Sequence, residues 1–443
     1  MTHVQSGLPD QYGVREDYIP KDSYISREFA ALEKQRLWPR VWQIACRLEE
    51  VPKIGDYVTY EIADESIIIV RAGEDDVRAY YNVCQHRGRK LTNGCGHTNK
   101  LFCRYHGWRW NLDGTSDAVI DREDWGDRLS DESLRLTGPK IDFWGGWVFI
   151  NMDENAGPLL DHLHPIASIF KNYELEKMRY RWYKSVVLPC NWKVALEAFN
   201  EGYHVQTTHR QLLPYYDDAT ASEEHGPHGT FFSPPGTRLT GAPSRRLDVA
   251  MPNDLRPSIV AYFDMLERDL KAIVSERAHR ASQRLVNDVP PGASHMDILI
   301  QLGGFTAEAA IAEGAGFPAL THEEIVRAGQ DWHVFPNHVF LPAPDAILAY
   351  RARPWKDDPD QCLFDIWSLV RYAPDQVPPL NREFYENWQD HDGWGLILEQ
   401  DFRNLADIQQ GMKSRGFKAA RPSPVQERAL SNFHRTLRSY VLG

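Results

Sequence analysis

Four residues in two tight pairs stand out first: Cys84-Gln85-His86 and, after sixteen intervening residues, Cys103-Arg104-Tyr105-His106. Each pair follows a short apolar run, so each falls at the tip of a β-loop, and two such tips can pinch a metal centre. Two thiolates and two imidazoles suit tetrahedral zinc, or a [2Fe–2S] cluster with Cys on one iron and His on the other. Common zinc fingers group Cys with Cys and His with His, whereas each pair here is Cys-His. Gly88, Gly94 and Gly107 flank the ligands and permit turns in which backbone N–H groups approach bridging sulfides. The plainer alternative is core cysteines and surface histidines with no shared role. Cys95 lies between the pairs. It reads as a free thiol, and it keeps the zinc alternative open.

A second group lies in Glu197-Ala-Phe-Asn200-Glu201-Gly-Tyr-His204-Val-Gln-Thr-Thr-His209. On an unbroken helix, positions i and i+5 point about 140° apart. His204 and His209 therefore share an ion only if the helix breaks between them, and the β-branched Val205, Thr207 and Thr208 make a break plausible. Taken alone, the pattern is also what an ordinary helix surface shows. Two His with a distant carboxylate form the facial triad of mononuclear non-haem iron. The segment Glu399-Gln400-Asp401-Phe402-Arg403-Asn404 offers that carboxylate in Asp401, with Glu399 as fallback and helix-surface charge as the plain alternative.

The stretch Phe102-Cys103-Arg104-Tyr105-His106-Gly107-Trp108, with Cys84-Gln85-His86-Arg87-Gly88, resembles the loops of Rieske iron–sulfur domains. Nearly the whole chain resembles the terminal oxygenase (α) subunits of Rieske non-haem iron ring-hydroxylating oxygenases. The resemblance implies that Cys84, His86, Cys103 and His106 hold a Rieske [2Fe–2S] cluster, and that His204, His209 and Asp401 hold mononuclear non-haem Fe(II). Imidazole in place of thiolate raises the cluster potential. The family usually places Asp before the first His ligand, and this chain has Glu201 there. In the family that carboxylate joins a Rieske His of one subunit to an iron His of its neighbour, which implies a head-to-tail homotrimer with His106 of one copy facing Glu201 and His204 of the next. Glu197 and Asn200 are further candidates, either touching substrate or supporting the helix. The implied activity uses O2 and electrons from a ferredoxin and/or reductase to hydroxylate a hydrophobic aromatic or alicyclic substrate, once or as a cis-diol, as in aromatic hydrocarbon catabolism. N- or O-dealkylation is the alternative within the family. A zinc- or cluster-containing carrier or binding module is the alternative outside it. A β subunit is compatible with the chain and not required.

Residues 22–40 read as a helix capped by Asp22 or Ser23. Residues 57–62, 66–71 and 77–83 read as strands, and Asp113-Gly114 and Gly145-Gly146 as hairpin turns. Residues 191–203 read as a helix with Trp192, Leu196, Phe199 and Tyr203 toward a core and Glu197, Glu201 and His204 on a neighbouring face. Residues 211–256 are rich in Pro, Gly and His and read as a long lid loop, in which His225 and His228 are loop residues rather than ligands. Residues 257–286, 385–411 and 425–440 read as helices, and 333–341, 347–353 and 363–370 as strands of one antiparallel sheet. The expected architecture is α+β. Residues 1–40 form an N-terminal helical segment packing on the catalytic domain, and 41–155 an all-β Rieske domain. Residues 156–443 form a catalytic domain with a large antiparallel sheet covered by helices, helix-grip-like.

The 443 residues are enough to bury a core without disulfides, and six cysteines in such a length fit reduced thiols and a cytoplasmic address. A net charge of -12 disfavours nucleic acid as a partner. No apolar run approaches the roughly 20 residues a membrane span needs. Fourteen Trp and 12% aromatic residues suit a pocket for a flat apolar substrate as well as an ordinary core.

Overall fold

The computed structural model describes residues 12–443. They divide into two compact units, one of residues 32–163 and one joining residues 12–31 to His164–Gly443. No helix among the described residues is long and apolar enough to cross a membrane.

The smaller unit is built from short antiparallel strands in three sheets. Asp56–Ile62, Glu65–Arg71 and Val77–Tyr81 pair in sequence, and Cys95–His97 adds to the first of them. Lys140–Trp144 and Trp147–Asn151 form a hairpin through Gly145 and Gly146, both at positive φ. That is the backbone a tight two-residue hairpin turn demands, and glycine takes it without a Cβ clash. Leu101–Phe102, Arg109–Trp110 and Ser116–Ala118 form the third sheet. Cys84 and Cys103 lie in the apolar core of this unit with Ile68, Val70, Leu101, Trp108 and Trp110.

The larger unit is organised on an eight-stranded sheet. Its order is Ala221–His225, His228–Phe232, Trp332–Val334, His338–Pro342, Ala346–Trp355, Asp358–Arg371, Met178–Leu188 and Arg382–Tyr385. Every neighbouring pair is antiparallel except the last, which is parallel. The strands Ala346–Trp355 and Asp358–Arg371 are buried along most of their length, with the helix Trp192–Glu197 packed on them. Burying a carboxylate in such a sheet requires partners. Asp365 has them: Arg351 Nη2 at 2.7 Å, Arg353 Nη2 at 3.0 Å and Ser185 Oγ at 2.6 Å. Helices between residues 256 and 312 enclose a second apolar core around Ile259, Leu285, Ile298 and Leu302.

Several elements differ from the expectations. The helix at 191–203 ends at Glu197, and Tyr203 is 46% exposed instead of facing the core. At its end the bonding tightens to i→i−3, Phe199 N–H donating to Leu196 O and Asn200 N–H to Glu197 O; beyond Gly202 the Glu201 carboxylate accepts from the backbone N–H of Tyr203 and of His204. The expected loop at 211–256 contains the hairpin Ala221–His225/His228–Phe232, which forms one edge of the large sheet. The α-helix expected from residue 385 starts only at Leu396 and runs Leu396–Lys413 after a glycine at positive φ, Gly395; before it lies a single short 3-10 turn, Trp388–Asp390. The segment 22–40 breaks at the extended Ser26, whose Oγ accepts from Phe29 N at 3.1 Å and so caps the second piece. Neither Asp22 nor Ser23 serves as the cap, a place taken by Lys21 without a side-chain bond. Residues 257–286 form three helices, Arg256–Asp269, Glu276–Gln283 and Leu285–Asp288, and the helix His295–Ala312 follows.

Candidate metal centres and substrate cavity

The Cys84 and Cys103 loops are built alike. In each, the Cys N–H donates to the carbonyl five residues on, and a glycine four residues on donates back to the Cys carbonyl. Those glycines, Gly88 and Gly107, have φ of 71° and 75°. A Cβ on Gly107 would lie 2.6 Å from Ile120 Cδ1, so the turn excludes other residues. The loops bring His86 and His106 to 4.5 Å between ring centroids, and His86 stacks on Trp108 at 4.7 Å.

The donor set fits a Rieske cluster. His86 Nδ1 is buried with no hydrogen-bond partner among the described residues, as a ligand atom would be. Burial pushes the His86 imidazole below its ordinary pKa, with His106 and Arg87 adding, which favours the neutral ligand form. Burial, with the adjacent Cys103, raises the Cys84 thiol, so a bound cation would be what makes it a thiolate. Cys95 sits apart on an exposed strand as a free thiol.

In the larger unit, His204, His209 and Asp401 each present a ligand atom, and these atoms lie within 4.8 Å of one another. His209 Nε2 is 3.0 Å and His204 Nε2 is 3.6 Å from Asp401 Oδ1. No break interrupts residues 205–208; the helix Val205–Thr208 is intact. The rings converge because the backbone leaves helical geometry at His209, with φ −113° and ψ 50°. Asp401 projects from the buried side of Leu396–Lys413. Glu399, the fallback, pairs with Arg403 at 2.9 Å instead.

The Nδ1 atoms of the two histidines are held from behind. Glu201 Oε1 lies 2.5 Å from His204 Nδ1, and Gln400 Oε1 lies 2.8 Å from His209 Nδ1. Both contacts leave Nε2 free for an ion. Burial alone would lower His204, but Glu201 and then Asp401 outweigh it and bring it up to about 9. Gln400 has no sequence signal except its place beside Asp401. Glu197 is occupied elsewhere, accepting from Tyr24 Oη at 3.0 Å and facing His434 Nε2 at 2.6 Å. Asn200 is buried with Oδ1 unpartnered and does not line the main cavity. His228 is buried, and its Nδ1 accepts from Phe335 N at 3.0 Å.

A cavity of about 350 Å³ opens onto the triad. Phe199, Phe231, Tyr216, Tyr262 and Tyr350 supply aromatic wall, and Leu266, Leu341 and Leu348 aliphatic wall. Its only charged lining residues besides the histidines are Glu201 and Asp401; none is Lys or Arg. A second cavity of about 320 Å³ shares Ala198, Glu201, His204 and Asp401 with the first.

The description "Ring hydroxylating alpha subunit (catalytic domain)" matches residues 175–443, and "Rieske [2Fe-2S] domain" matches residues 41–123. The chain belongs to the ring-hydroxylating alpha-subunit family, with a Rieske [2Fe–2S] domain and a catalytic domain for mononuclear iron. The Rieske match sets aside the zinc alternative. The carnitine monooxygenase oxygenase subunit of Acinetobacter pittii (strain PHEA-2) is 32% identical over 213 residues, 46% of this chain and 56% of that protein. The glycine betaine monooxygenase oxygenase subunit of Chromohalobacter salexigens is 29% identical over 45% of each chain. The chain thus spans about half the length of these relatives. The biphenyl 2,3-dioxygenase subunit alpha of Rhodococcus jostii (strain RHA1) is 28% identical over 89% of this chain and 78% of that protein. A quaternary ammonium Rieske monooxygenase in complex with L-carnitine shares the fold at a TM-score of 0.64, with 20% identity over 98% of this chain and 99% of that one. Naphthalene 1,2-dioxygenase from Rhodococcus sp. does so at 0.63, with 19% identity over 96% and 94%.

Proposed function

We propose that the chain is the terminal oxygenase of a Rieske non-haem iron system, taking electrons from a ferredoxin and/or reductase and oxidising a small, neutral, largely apolar substrate with O2. The observation that carries this reading is the cavity: aromatic and aliphatic walls, no Lys or Arg, and the His204–His209–Asp401 triad in its lining. When bound, the cluster supplies stored electrons and the mononuclear iron supplies dioxygen activation. His204, His209 and Asp401 would hold that iron through ligand atoms that lie within 4.8 Å of one another. Glu201 and Gln400 fix the imidazole orientations by facing Nδ1. The apolar walls orient the substrate and exclude water from it. Glu201 also lines the second cavity, the position at which a head-to-tail homotrimer would bring His106 of an adjacent copy. A flat apolar substrate held in such walls is compatible with ring mono- or cis-dihydroxylation.

Dealkylation of a quaternary ammonium compound is the second reading. It is favoured by the named relatives and by aromatic faces that attract cations. A carboxylate-bearing substrate, however, would find no basic side chain in the lining. The test is oxygen uptake and product mass spectrometry with the iron-loaded, reduced protein. Hydroxylated products from bicyclic aromatics support the first reading, aldehyde release from a trimethylammonium compound supports the second, and no product from either panel contradicts both.

A further inference from the structure

The helix Arg256–Asp269 turns Tyr262 and Leu266 toward the cavity at i and i+4, with Leu270 beyond its end completing the stripe. The polar groups on this wall differ in one respect. Tyr216 Oη donates to Gln330 Oε1 at 2.5 Å, and Gln330 Nε2 donates in turn to Ser233 Oγ at 2.5 Å, so that chain of donors is already used. Tyr262 lines the same cavity, and its Oη makes no hydrogen bond to another described residue. Burial pushes Tyr262 up to about 12, so it keeps its proton and stays a donor. Its hydroxyl is therefore open to an acceptor that enters the cavity.

We propose that Tyr262 is a specificity-determining residue whose Oη–H donates to an acceptor oxygen on the substrate. The substrate class is then a neutral, mainly apolar ring compound bearing a carbonyl or ether oxygen, rather than a bare hydrocarbon or a carboxylate-bearing quaternary ammonium compound. A cavity of about 350 Å³ is of the size that takes such a bicyclic molecule. The inference rests on the reading of this cavity as the substrate site. Two other lining hydroxyls are without side-chain hydrogen bonds, those of Tyr350, close enough to Asp401 to feel its charge, and of Thr240. They are the natural comparisons.

The experiment is calorimetric binding to the anaerobic holoenzyme of two matched pairs: 1-indanone with indane, and 1-tetralone with tetralin. L-carnitine is the zwitterionic probe. The wild type is expected to bind at least one ketone roughly tenfold more tightly than its parent, the value of one hydrogen bond. Tyr262→Phe, which removes only the oxygen, is expected to erase that preference, leave the parent's affinity unchanged and leave the melting temperature unchanged. Equal affinity within every pair, a preference that survives Tyr262→Phe or is lost only in Tyr350→Phe or Thr240→Val, tighter binding of L-carnitine, or no binding of any probe would overturn the proposal. Turnover is scored separately. Tyr262-dependent binding with no oxygen consumption leaves this assignment standing and sinks the oxygenase reading.

Discussion

The two triad histidines have unlike partners behind them, a carboxylate on His204 and a neutral amide on His209. The carboxylate adds negative charge to one ligand, and the amide only orients the other. Gln400 also accepts from Gln211 Nε2 at 2.7 Å, so its own position is fixed. Gln400→Ala is therefore expected to weaken mononuclear iron binding by roughly ten- to a hundredfold, measured by iron titration of the depleted protein, with the cluster's visible absorption unchanged. Iron affinity equal to wild type would remove Gln400 from the site. Glu201→Gln is expected to retain both metal centres and to slow single-turnover product formation by roughly tenfold or more. Unchanged single-turnover rates would show that the carboxylate only braces the turn. The candidate residues of both centres are readable from type, spacing and resemblance because metal ligands are chemically restricted, and the fold brings His204, His209 and Asp401 together. Gln400 and Tyr262 are not readable, because an amide and a phenol acquire their roles only from what the fold sets against them.

At the level of elements, the sheet places the site, and Asp365 shows what holds its central strands together. Two guanidinium groups converge on this one buried carboxylate. Asp365→Ala would remove the buried carboxylate on which both guanidinium groups converge, a loss of about 3–5 kcal/mol. The expected readout is a marked fall in the melting temperature of the larger unit or failure to fold, and a melting curve like the wild type would refute it. Strands 347–353 and 363–370 were visible in the sequence because their alternation and β-branched content are strong. The end of the helix at Glu197 was not, since apolar spacing continues through Phe199 and Tyr203 while the backbone has already tightened to i→i−3 bonds at Phe199 and Asn200. The hairpin at 221–232 was hidden for a different reason. Its Gly-226 turn lies in a stretch whose composition reads as loop, and only pairing with Trp332–Val334 makes it an edge of the sheet.

For the whole molecule, the proposed head-to-tail arrangement would set His106 of a neighbouring copy at the cavity that Glu201 lines. Sedimentation of the iron-loaded protein is expected to give a species of three chains of 51.0 kDa each. A stable monomer with full turnover would contradict the head-to-tail arrangement. The central claim is that one polypeptide carries two separate iron centres, and metal analysis with EPR of anaerobically prepared wild type and Asp401→Ala tests it most directly. The ligand sets predict about three irons per chain in the wild type and about two in the variant. The Rieske signal of the reduced cluster should persist in both, and product formation should be lost in the variant. Zinc in place of iron, or an Asp401→Ala protein that keeps its third iron and still turns over, would contradict it.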